Sequence, residues 1–387
     1  MRPNGGFEKL FHDKIFNQHL ISIVIDEAHC ISQWGSFRSK YRDFGRIRHS
    51  QCKPCPILAT SATMSPAVID DVKKDLHLRT ENLCISQCST DRPNISIIVH
   101  PILNPISSFH DLAFLLCDWK PGAPSPPKFV MFFDNINISV QAGRFLRCLL
   151  PREYQHRVKW FNLQMSERFK KKVVERFARG EMWGLLATDS FGMVRSIFSD
   201  INKCSKMLQG MDLPDISLVV QWCTPTSISM LWQRFGRCAR DLSLQGTAIL
   251  FVEKEYIDHL KNVKKKRKRN MSSIKTEPRA SSTAKRPRTE LTEQSIGADE
   301  YPSCSDNKLS ENNEIDAGGE DDEQEPVDDE EEGKTKKGKS KRSKIDPEIL
   351  DLINAETRGI GCRRQPFLQK FNNSKSSTSF VFTTIIS

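Results

Sequence analysis

The chain has 387 residues, 38% of them hydrophobic, and its 58 basic and 48 acidic side chains give a net charge of +10. This length predicts roughly two domains plus further segments. No run of about 18 apolar residues could span a bilayer, and no signal-peptide pattern opens the chain, so we expect neither a membrane partner nor secretion. Twelve cysteines without a disulfide-like framework predict reduced, mostly buried thiols in an intracellular protein.

Strand-like and helix-like segments alternate through the first two thirds of the chain. Short continuous apolar runs predict strands, the first of them buried on both faces of a sheet, at 20–25, 56–60, 128–133, 184–188, 216–222 and 246–252. Apolar residues at helical spacing predict helices at 66–78, 139–150 and 166–181. This alternation favours an α/β fold with parallel sheets. The loop-rich segment 101–127 predicts a boundary between two such units.

The composition changes after residue 260. Residues 1–260 carry 33 basic and 25 acidic side chains, whereas residues 311–332 hold thirteen acidic side chains and no basic one. Such a segment buries too little apolar surface to offset its ordering entropy, which predicts a disordered charged linker at 259–345. Basic clusters at 264–269 and 285–288 favour nuclear import and hence a nuclear protein, although a general polyanion-binding arm would look the same.

An acidic pair, Asp26 and Glu27, follows directly on the first predicted strand. At the carboxyl end of a parallel strand such a pair suits a Mg²⁺–nucleotide site, with Asp26 holding the metal through water and Glu27 polarising the attacking water. A solvated strand end is the alternative, and for an isolated acidic pair it is the commoner one.

The sequence IDEAHCISQWGSFRSKY at 25–41 resembles motif II, a DEAH box, and the aromatic-rich loop of RecQ-type superfamily 2 DNA helicases. The resemblance continues in order through ATSAT at 59–63, STDRPNISI at 89–97, FFDNI at 132–136, LLATDSFGM at 185–193, GMDLPDI at 210–216 and QRFGRCARD at 233–241. It covers about residues 20–255, and so many ordered motifs leave little room for coincidence. It implies two RecA-like parallel-sheet lobes, the first incomplete, followed by the charged tail.

The resemblance also implies an activity. Relatives of this type are ATP-dependent 3′–5′ DNA helicases of recombination and repair, which use ATP and Mg²⁺ to translocate on single-stranded DNA. The expected partner is therefore DNA, single-stranded or at junctions. The lobes would close on ATP at their interface, with motif II on one wall and motif VI on the other.

The resemblance assigns catalytic roles to Asp26, Glu27, His29, Gln233, Arg237 and Arg240. Arg237 and Arg240 lie three residues apart on an expected helix, so they would share one face and reach the γ-phosphate as arginine fingers. Ala239 stands where the family usually has glycine, a change that a helix would tolerate.

A second group is expected to bind DNA or to couple DNA to the nucleotide, namely Trp34, Phe37, Arg38, Ser61, Thr63 and Asp212. The aromatic and guanidinium groups among them offer faces to unstacked bases. The hydroxyls of Ser61 and Thr63, on a strand-to-helix turn, would relay the state of the acidic pair. The alternatives are a core position for Trp34 and ordinary N-cap chemistry for the two hydroxyls.

Two departures from the family pattern bear on activity. The phosphate-binding pattern GxxxxGK[ST] is not found before Asp26, and its match at 333–340 follows a run of acids without a strand, which indicates coincidence. An atypical insertion at 194–209 divides motif V. A catalytically inactive DNA- or partner-binding remnant, or an incomplete gene model, is therefore the alternative to an enzyme, and we expect this chain alone to hydrolyse ATP poorly.

The motifs divide the chain into four parts. Residues 1–100 would be the C-terminal part of the first lobe, 101–258 the second lobe, 259–345 the linker and 346–387 the truncated start of a RecQ zinc module. Cys362 would be an orphan zinc ligand, since the partners that four-coordinate zinc requires do not follow it. Zinc is therefore a cofactor of the family that we do not expect this chain to bind.

Overall fold

The computed structural model describes residues 6–34, 45, 55–162, 164–188, 213, 215–260, 345–371 and 383–386. Several predictions fall outside these residues: the roles of Phe37, Arg38 and Asp212, the insertion at 194–209, the pattern at 333–340 and nearly all of the linker. Both of the sheets described below belong to the same compact unit of the chain.

Ten strands lie in the described residues: β1 (Ile23–Ile25), β2 (Ile57–Ser61), β3 (Cys84–Gln87), β4 (Ile95–Pro101), β5 (Phe129–Phe132), β6 (Val158–Phe161), β7 (Gly184–Ala187), β8 (Leu218–Trp222), β9 (Gly246–Val252) and β10 (Thr383–Ile386). The α-helices described are α1 (Gly6–His12), α2 (Lys14–His19), α3 (His29–Trp34), α4 (Pro66–Asp75), α5 (Ile136–Cys148), α6 (Glu167–Ala178), α7 (Ile228–Phe235), α8 (Pro347–Ile353) and α9 (Gln365–Lys370).

The larger sheet has six strands in the order β4-β9-β8-β5-β7-β6, and every neighbouring pair is parallel. Its central strands are buried on both faces, as their continuous apolar sequences predict. The α/β fold class is thereby confirmed. Strand β4 pairs with β9 along its whole length, so residues 95–100 belong to this sheet, although the sequence division at residue 100 groups them with the first lobe.

Both faces of the larger sheet are covered. Helices α6, α7, α8 and α9 contribute buried side chains to one face, and α5 with the short 3₁₀ helix His110–Leu115 contributes to the other. Segment 101–127, predicted as a boundary, therefore also supplies core residues to the second lobe, among them Phe109 and Leu112.

The smaller sheet has the order β1-β2-β10-β3. Strands β1 and β2 are parallel, whereas β10 runs antiparallel to both of its neighbours. Ile23 and Ile25 pack on a core shared with α3 and α4, but Val24 points to the opposite face and is 59% exposed. The prediction that this strand is buried on both faces was wrong, because only alternate residues meet the core.

Two of the predicted helix starts are confirmed, and at each of them a serine hydroxyl caps the helix. Ser65 Oγ accepts a hydrogen bond from the N–H of Val68 at 3.4 Å, and Ser166 Oγ accepts one from Phe169 at 3.3 Å. Gly180 ends the α6 region at φ +75°, a conformation that glycine adopts without strain.

The cysteine prediction needs correction. All nine cysteines in the described part of the chain are free, but only Cys30 and Cys238 are buried, so these thiols are not mostly buried. In the same residues, no helix combines the length and the apolar character needed to cross a membrane.

Candidate functional site

The acidic pair occupies the turn that follows β1. Asp26 is exposed, and its Oδ1 accepts hydrogen bonds from the N–H of Glu27 at 2.9 Å and from the hydroxyl of Thr60 at 3.0 Å. The N–H of Ala28 donates to the carbonyl of Thr60 at 2.9 Å. Strand β2 thus fixes this turn, which holds Glu27 at φ 52°, in the left-handed region that favours glycine.

His29 lies beneath this turn and is only 4% exposed. Its Nδ1 is 2.7 Å from Ser61 Oγ and 3.2 Å from Glu27 Oε2. Burial by itself lowers the pKa of His29, but the hydrogen bonds with Cys30 and Glu27 outweigh it and raise this pKa to about 9. The imidazole is therefore cationic at neutral pH, beside the carboxylate expected to activate water.

Gln233 joins the two sheets. It lies on α7, against the larger sheet, and its Nε2 is 3.0 Å from His29 Nε2 and 2.7 Å from Thr63 Oγ1. The hydroxyl of Ser61 accepts from the N–H of Thr63 at 3.2 Å, so one network contains His29, Ser61, Thr63 and Gln233. Four of the predicted site residues are brought together in this way.

The structure corrects the setting of the two arginines. Helix α7 ends at Phe235 and is capped by Gly236, so Arg237 and Arg240 lie in the loop after the helix and do not share a helix face. Ala239 in this loop has φ 40° and is buried. The family's glycine therefore suits this backbone, and the expectation that a helix would tolerate alanine was wrong in its physical reason.

The loop after α7 that carries Arg237 and Arg240, here called the arginine loop, is held by Arg92 and Asn94. Both residues lie in the motif at 89–97, to which the sequence comparison assigned no role. The guanidinium of Arg92 donates to the carbonyls of Cys238 and Ala239 at 3.2 and 2.6 Å. The amide of Asn94 donates to the carbonyls of Ala239 and Leu244 at 2.8 and 2.9 Å. The segment between the sheets thus sets the shape of the loop that carries Arg237 and Arg240; the DRPN sequence was the available signal.

Arg234 was also missed. It is buried on α7, and its Nη1 lies 2.7 Å from Asp134 Oδ1, at the end of β5. The guanidinium is buried whereas the Asp134 side chain is 48% exposed, so removing Asp134 would leave a buried positive charge without this partner, and the contact ties α7 to the end of β5.

Two further predicted residues, Trp34 and Cys362, lie in other parts of the chain. Trp34 ends α3, but its side chain lies outside the description. Cys362 is exposed, and no group of three or more His, Cys, Asp or Glu side chains able to hold a metal ion occurs within the described ranges.

Two family models match the chain over segments that contain these motifs. Residues 5–72 match the DEAD/DEAH box helicase family and residues 116–241 match the helicase conserved C-terminal domain. The ATP-dependent DNA helicase RecQ of Pasteurella multocida is 30% identical over 254 residues, which are 64% of this chain and 34% of that relative. The ATP-dependent helicase wrn-1 of Caenorhabditis elegans is 28% identical over 245 residues, which are 62% of this chain and 20% of that relative.

The chain matches helicase family models in two segments, and its curated relatives, 26–30% identical over 62–64% of the chain, are RecQ-type helicases. It spans about a third or less of the length of these curated RecQ-type relatives. The DEAD/DEAH match contains the turn at Asp26 and the hydroxyls of β2, and the C-terminal match contains Gln233 and the arginine loop. Gln233, in the second matched region, thus contacts His29 and Thr63 in the first.

Solved structures of other helicases are similar in outline. Mycobacterium smegmatis helicase Lhr, bound to single-stranded DNA and AMP-PNP, gives a TM-score of 0.44 at 16% identity, covering 63% of this chain and 31% of that one. Saccharomyces cerevisiae Dbp5, bound to RNA and ADP BeF3, gives 0.42 at 18% identity, covering 66% of this chain and 58% of that one.

Proposed function

We propose that this chain supplies ATP-hydrolysing machinery to a RecQ-type DNA helicase that translocates 3′–5′ on single-stranded DNA. The observation that supports it best is the Gln233 contact, which sets the motif II turn of one sheet against the motif VI helix of the other. A site divided between two lobes can change its geometry when the lobes move, as an ATP-driven motor requires.

The residues of the turn fit a hydrated Mg²⁺ and a hydrolytic water. Both hydrogen bonds to the Asp26 carboxylate end on Oδ1, which leaves Oδ2 as the oxygen for a metal-bound water. Mg²⁺, when bound, neutralises phosphate charge. The Glu27 side chain is 56% exposed, so its carboxylate can accept a proton from an attacking water. His29, cationic at neutral pH, orients this carboxylate through the contact of its Nδ1 with Glu27 Oε2 at 3.2 Å.

DNA is the proposed partner. The excess of basic over acidic side chains in residues 1–260 favours binding to a phosphate backbone, and the aromatic-rich loop of motif II favours unstacked bases. Action at junctions, a role in recombination and repair, and nuclear localisation follow from the same resemblance and from the basic clusters, and they are part of the proposal.

The test is DNA-stimulated ATP hydrolysis by the purified 387-residue chain, which we expect to be slow but measurable because the phosphate-binding pattern is not found before Asp26. Glu27→Gln should lower turnover by about 100-fold or more, because it removes the general base, while the exposed Glu81→Gln serves as the matched control. Equal activity in both variants, or DNA binding without any turnover, would contradict the proposal. The second result would favour the inactive DNA-binding remnant.

A further inference from the structure

A proline-rich loop, residues 121–127, precedes β5 and has the sequence PGAPSPP. Pro121, Pro124 and Pro127 recur every three residues, and all three are exposed. The loop lies outside every helicase motif quoted above, so the proposed helicase function gives it no role. The spacing of three matches the polyproline II helix, which has three residues per turn.

The loop begins with a tight turn. The N–H of Ala123 donates to the carbonyl of Lys120 at 3.0 Å, with Pro121 and Gly122 between them. Gly122 has φ +90°, and proline followed by a glycine at positive φ is the arrangement of a type II turn. Proline fixes the first central residue of the turn and glycine adopts the second conformation without strain. The chain therefore leaves the turn at Ala123 in one defined direction.

The five residues after the turn are confined by their sequence to an extended backbone. Ring closure fixes φ of Pro124, Pro126 and Pro127 near −65°. A residue that precedes proline is restricted to the β or polyproline II region, and this applies to Ala123, Ser125 and Pro126. None of the five has a positive φ, and none belongs to a helix or a strand. Residues 123–127 therefore form a polyproline II segment, here called the proline arm.

The second lobe holds the proline arm near both of its ends. Trp119 Nε1 donates to the carbonyl of Pro124 at 3.1 Å. The ring of Trp119 packs in turn on the buried ring of Trp183, with centroids 4.7 Å apart. Beyond the other end of the arm, the carbonyl of Lys128 accepts from the N–H of Ser217 at 3.1 Å. The arm is thus ordered before any partner binds, which lowers the entropic cost of binding.

The outer edge of the proline arm has the features of a ligand. Pro124 and Pro127 are three residues apart, so they lie on the same edge of a helix with three residues per turn, and both are exposed. In the described part of the chain, no donor bonds to the carbonyls of Ser125 and Pro126. The arm therefore presents a ridge of two proline rings with hydrogen-bond acceptors beside it.

We propose that the proline arm is a docking ligand for a partner protein whose groove is lined by aromatic side chains, the class of groove that binds PxxP segments. The PxxP segment is residues 124–127, and the rings of Pro124 and Pro127 fill adjacent pockets between aromatic rings of the groove. The neighbouring carbonyls accept from tryptophan or tyrosine donors of the partner, as the carbonyl of Pro124 accepts from Trp119 within the chain. The inference does not depend on ATP hydrolysis, because the arm contains none of the candidate site residues.

Binding of the full chain to a panel of purified SH3, WW and EVH1 domains, without ATP or DNA, tests the proposal. We expect at least one domain to bind, and Pro124→Ala/Pro127→Ala to weaken that binding by about 10-fold or more, because it removes both ring contacts and loosens the arm. Ser125→Ala keeps both prolines in the same exposed segment, so it is the matched control and should bind as the wild type does. Binding by none of the domains, or equal affinity of the two variants, overturns the proposal.

Two further measurements on the unaltered chain cover the case in which the proline variant misfolds. A peptide of residues 120–128 should displace the chain from the bound domain, and the same peptide with alanine in place of Pro124 and Pro127 should not. Replacing the groove tryptophan of that domain by alanine should abolish binding of the chain. Displacement by both peptides or by neither, or binding that survives the loss of the tryptophan, overturns the proposal.

Discussion

At the scale of single residues, Glu27 combines a functional side chain with an unfavourable backbone. Its φ of 52° is imposed by the turn that Asp26 and Thr60 hold, and left-handed conformations cost a non-glycine residue about 1–2 kcal/mol. Strain of this kind persists where the surrounding structure over-determines it, which is common at functional sites.

This strain predicts an unusual order of stability at position 27. Both Glu27→Ala and Glu27→Gly remove the contact with His29, but only glycine relieves the backbone. We expect the glycine variant to be more stable than the alanine variant by about 1 kcal/mol in urea unfolding, the reverse of the usual order. An alanine variant at least as stable as the glycine variant would show that the turn is unstrained.

The raised pKa of His29 predicts a pH dependence. Because this pKa lies above the ordinary value of 6.5, the stability it contributes is fully present below pH 6.5 and is lost as the pH rises through about 9. We expect the unfolding free-energy difference between the wild type and His29→Gln to shrink across this range. An NMR titration of the imidazole checks the pKa directly, and Glu27→Gln should lower it; a wild-type midpoint at or below 6.5 contradicts the prediction.

The contact of Gln233 with His29 should be measurable as a coupling. A side-chain amide exchanges its oxygen and nitrogen by rotation, so Gln233 can accept from the protonated ring through Oε1 and donate to the neutral ring through Nε2. A double-mutant cycle with His29→Ala and Gln233→Ala should give about 1 kcal/mol of interaction energy. A cycle pairing His29 with the exposed Gln369 is the control, and equal values in the two cycles would rule out a specific contact.

At the scale of elements, α9 supports α7. The rings of Phe367 on α9 and Trp232 on α7 have centroids 4.4 Å apart, and Phe367 is completely buried. Arg364, before α9, donates to the carbonyls of Arg92 and Ile95 at 2.7 and 2.6 Å. The segment predicted as the start of a zinc module is thus packed on the second lobe by apolar contact and hydrogen bonds.

Removing the Phe367 ring should therefore destabilise the second lobe. We expect Phe367→Ala to cost about 3–5 kcal/mol in denaturant unfolding, because it removes a buried ring and leaves a cavity next to Trp232. The exposed Gln369→Ala on the same helix should change stability by less than about 0.5 kcal/mol. Similar losses in both variants would mean that α9 is held as a whole and not by the ring.

Strands with continuous apolar sequences were predictable, whereas strands interrupted by polar residues were not. The strands β5, β7, β8 and β9 follow continuous apolar runs and lie within two residues of their predicted bounds. Strands β4 and β6 were missed because polar residues interrupt them, and β10 because its pairing depends on partners far away in sequence. Sequence pattern also extended α7 through Arg240, since apolar spacing does not reveal where Gly236 ends the helix.

The candidate site was predictable where ordered motifs carry it. Asp26, His29 and Gln233 were assigned from such motifs, and His29 and Gln233 prove to be in contact. The DRPN sequence was a signal for Arg92 and Asn94, but their partners on the arginine loop were not predictable, because these hydrogen bonds end on backbone carbonyls, which any sequence supplies.

At the scale of the whole molecule, the distribution of charge predicts how DNA binding depends on salt. Residues 1–260 hold 33 basic and 25 acidic side chains, so binding to single strands should release counterions and weaken linearly on a logarithmic plot between about 50 and 200 mM salt. Fluorescence anisotropy with a single-stranded oligonucleotide measures the slope. A peptide nucleic acid of the same sequence, which lacks phosphates, is the control; equal affinity for both would contradict a backbone-binding mode.

The chain passes between the two sheets twice, once from β3 to β4 and once from α9 to β10. On the first passage the carbonyl of Thr90 accepts from Trp232 Nε1 at 3.1 Å, and Asp91 contacts Arg364, so only Cys88 and Ser89 separate β3 from residues anchored to the second lobe. Gln87 precedes the first passage and lies beside both ends of the second. Because both passages lie close to Gln87, a rotation of one lobe about this point would displace them very little. A change in the angle between the lobes is therefore expected to leave both passages nearly in place.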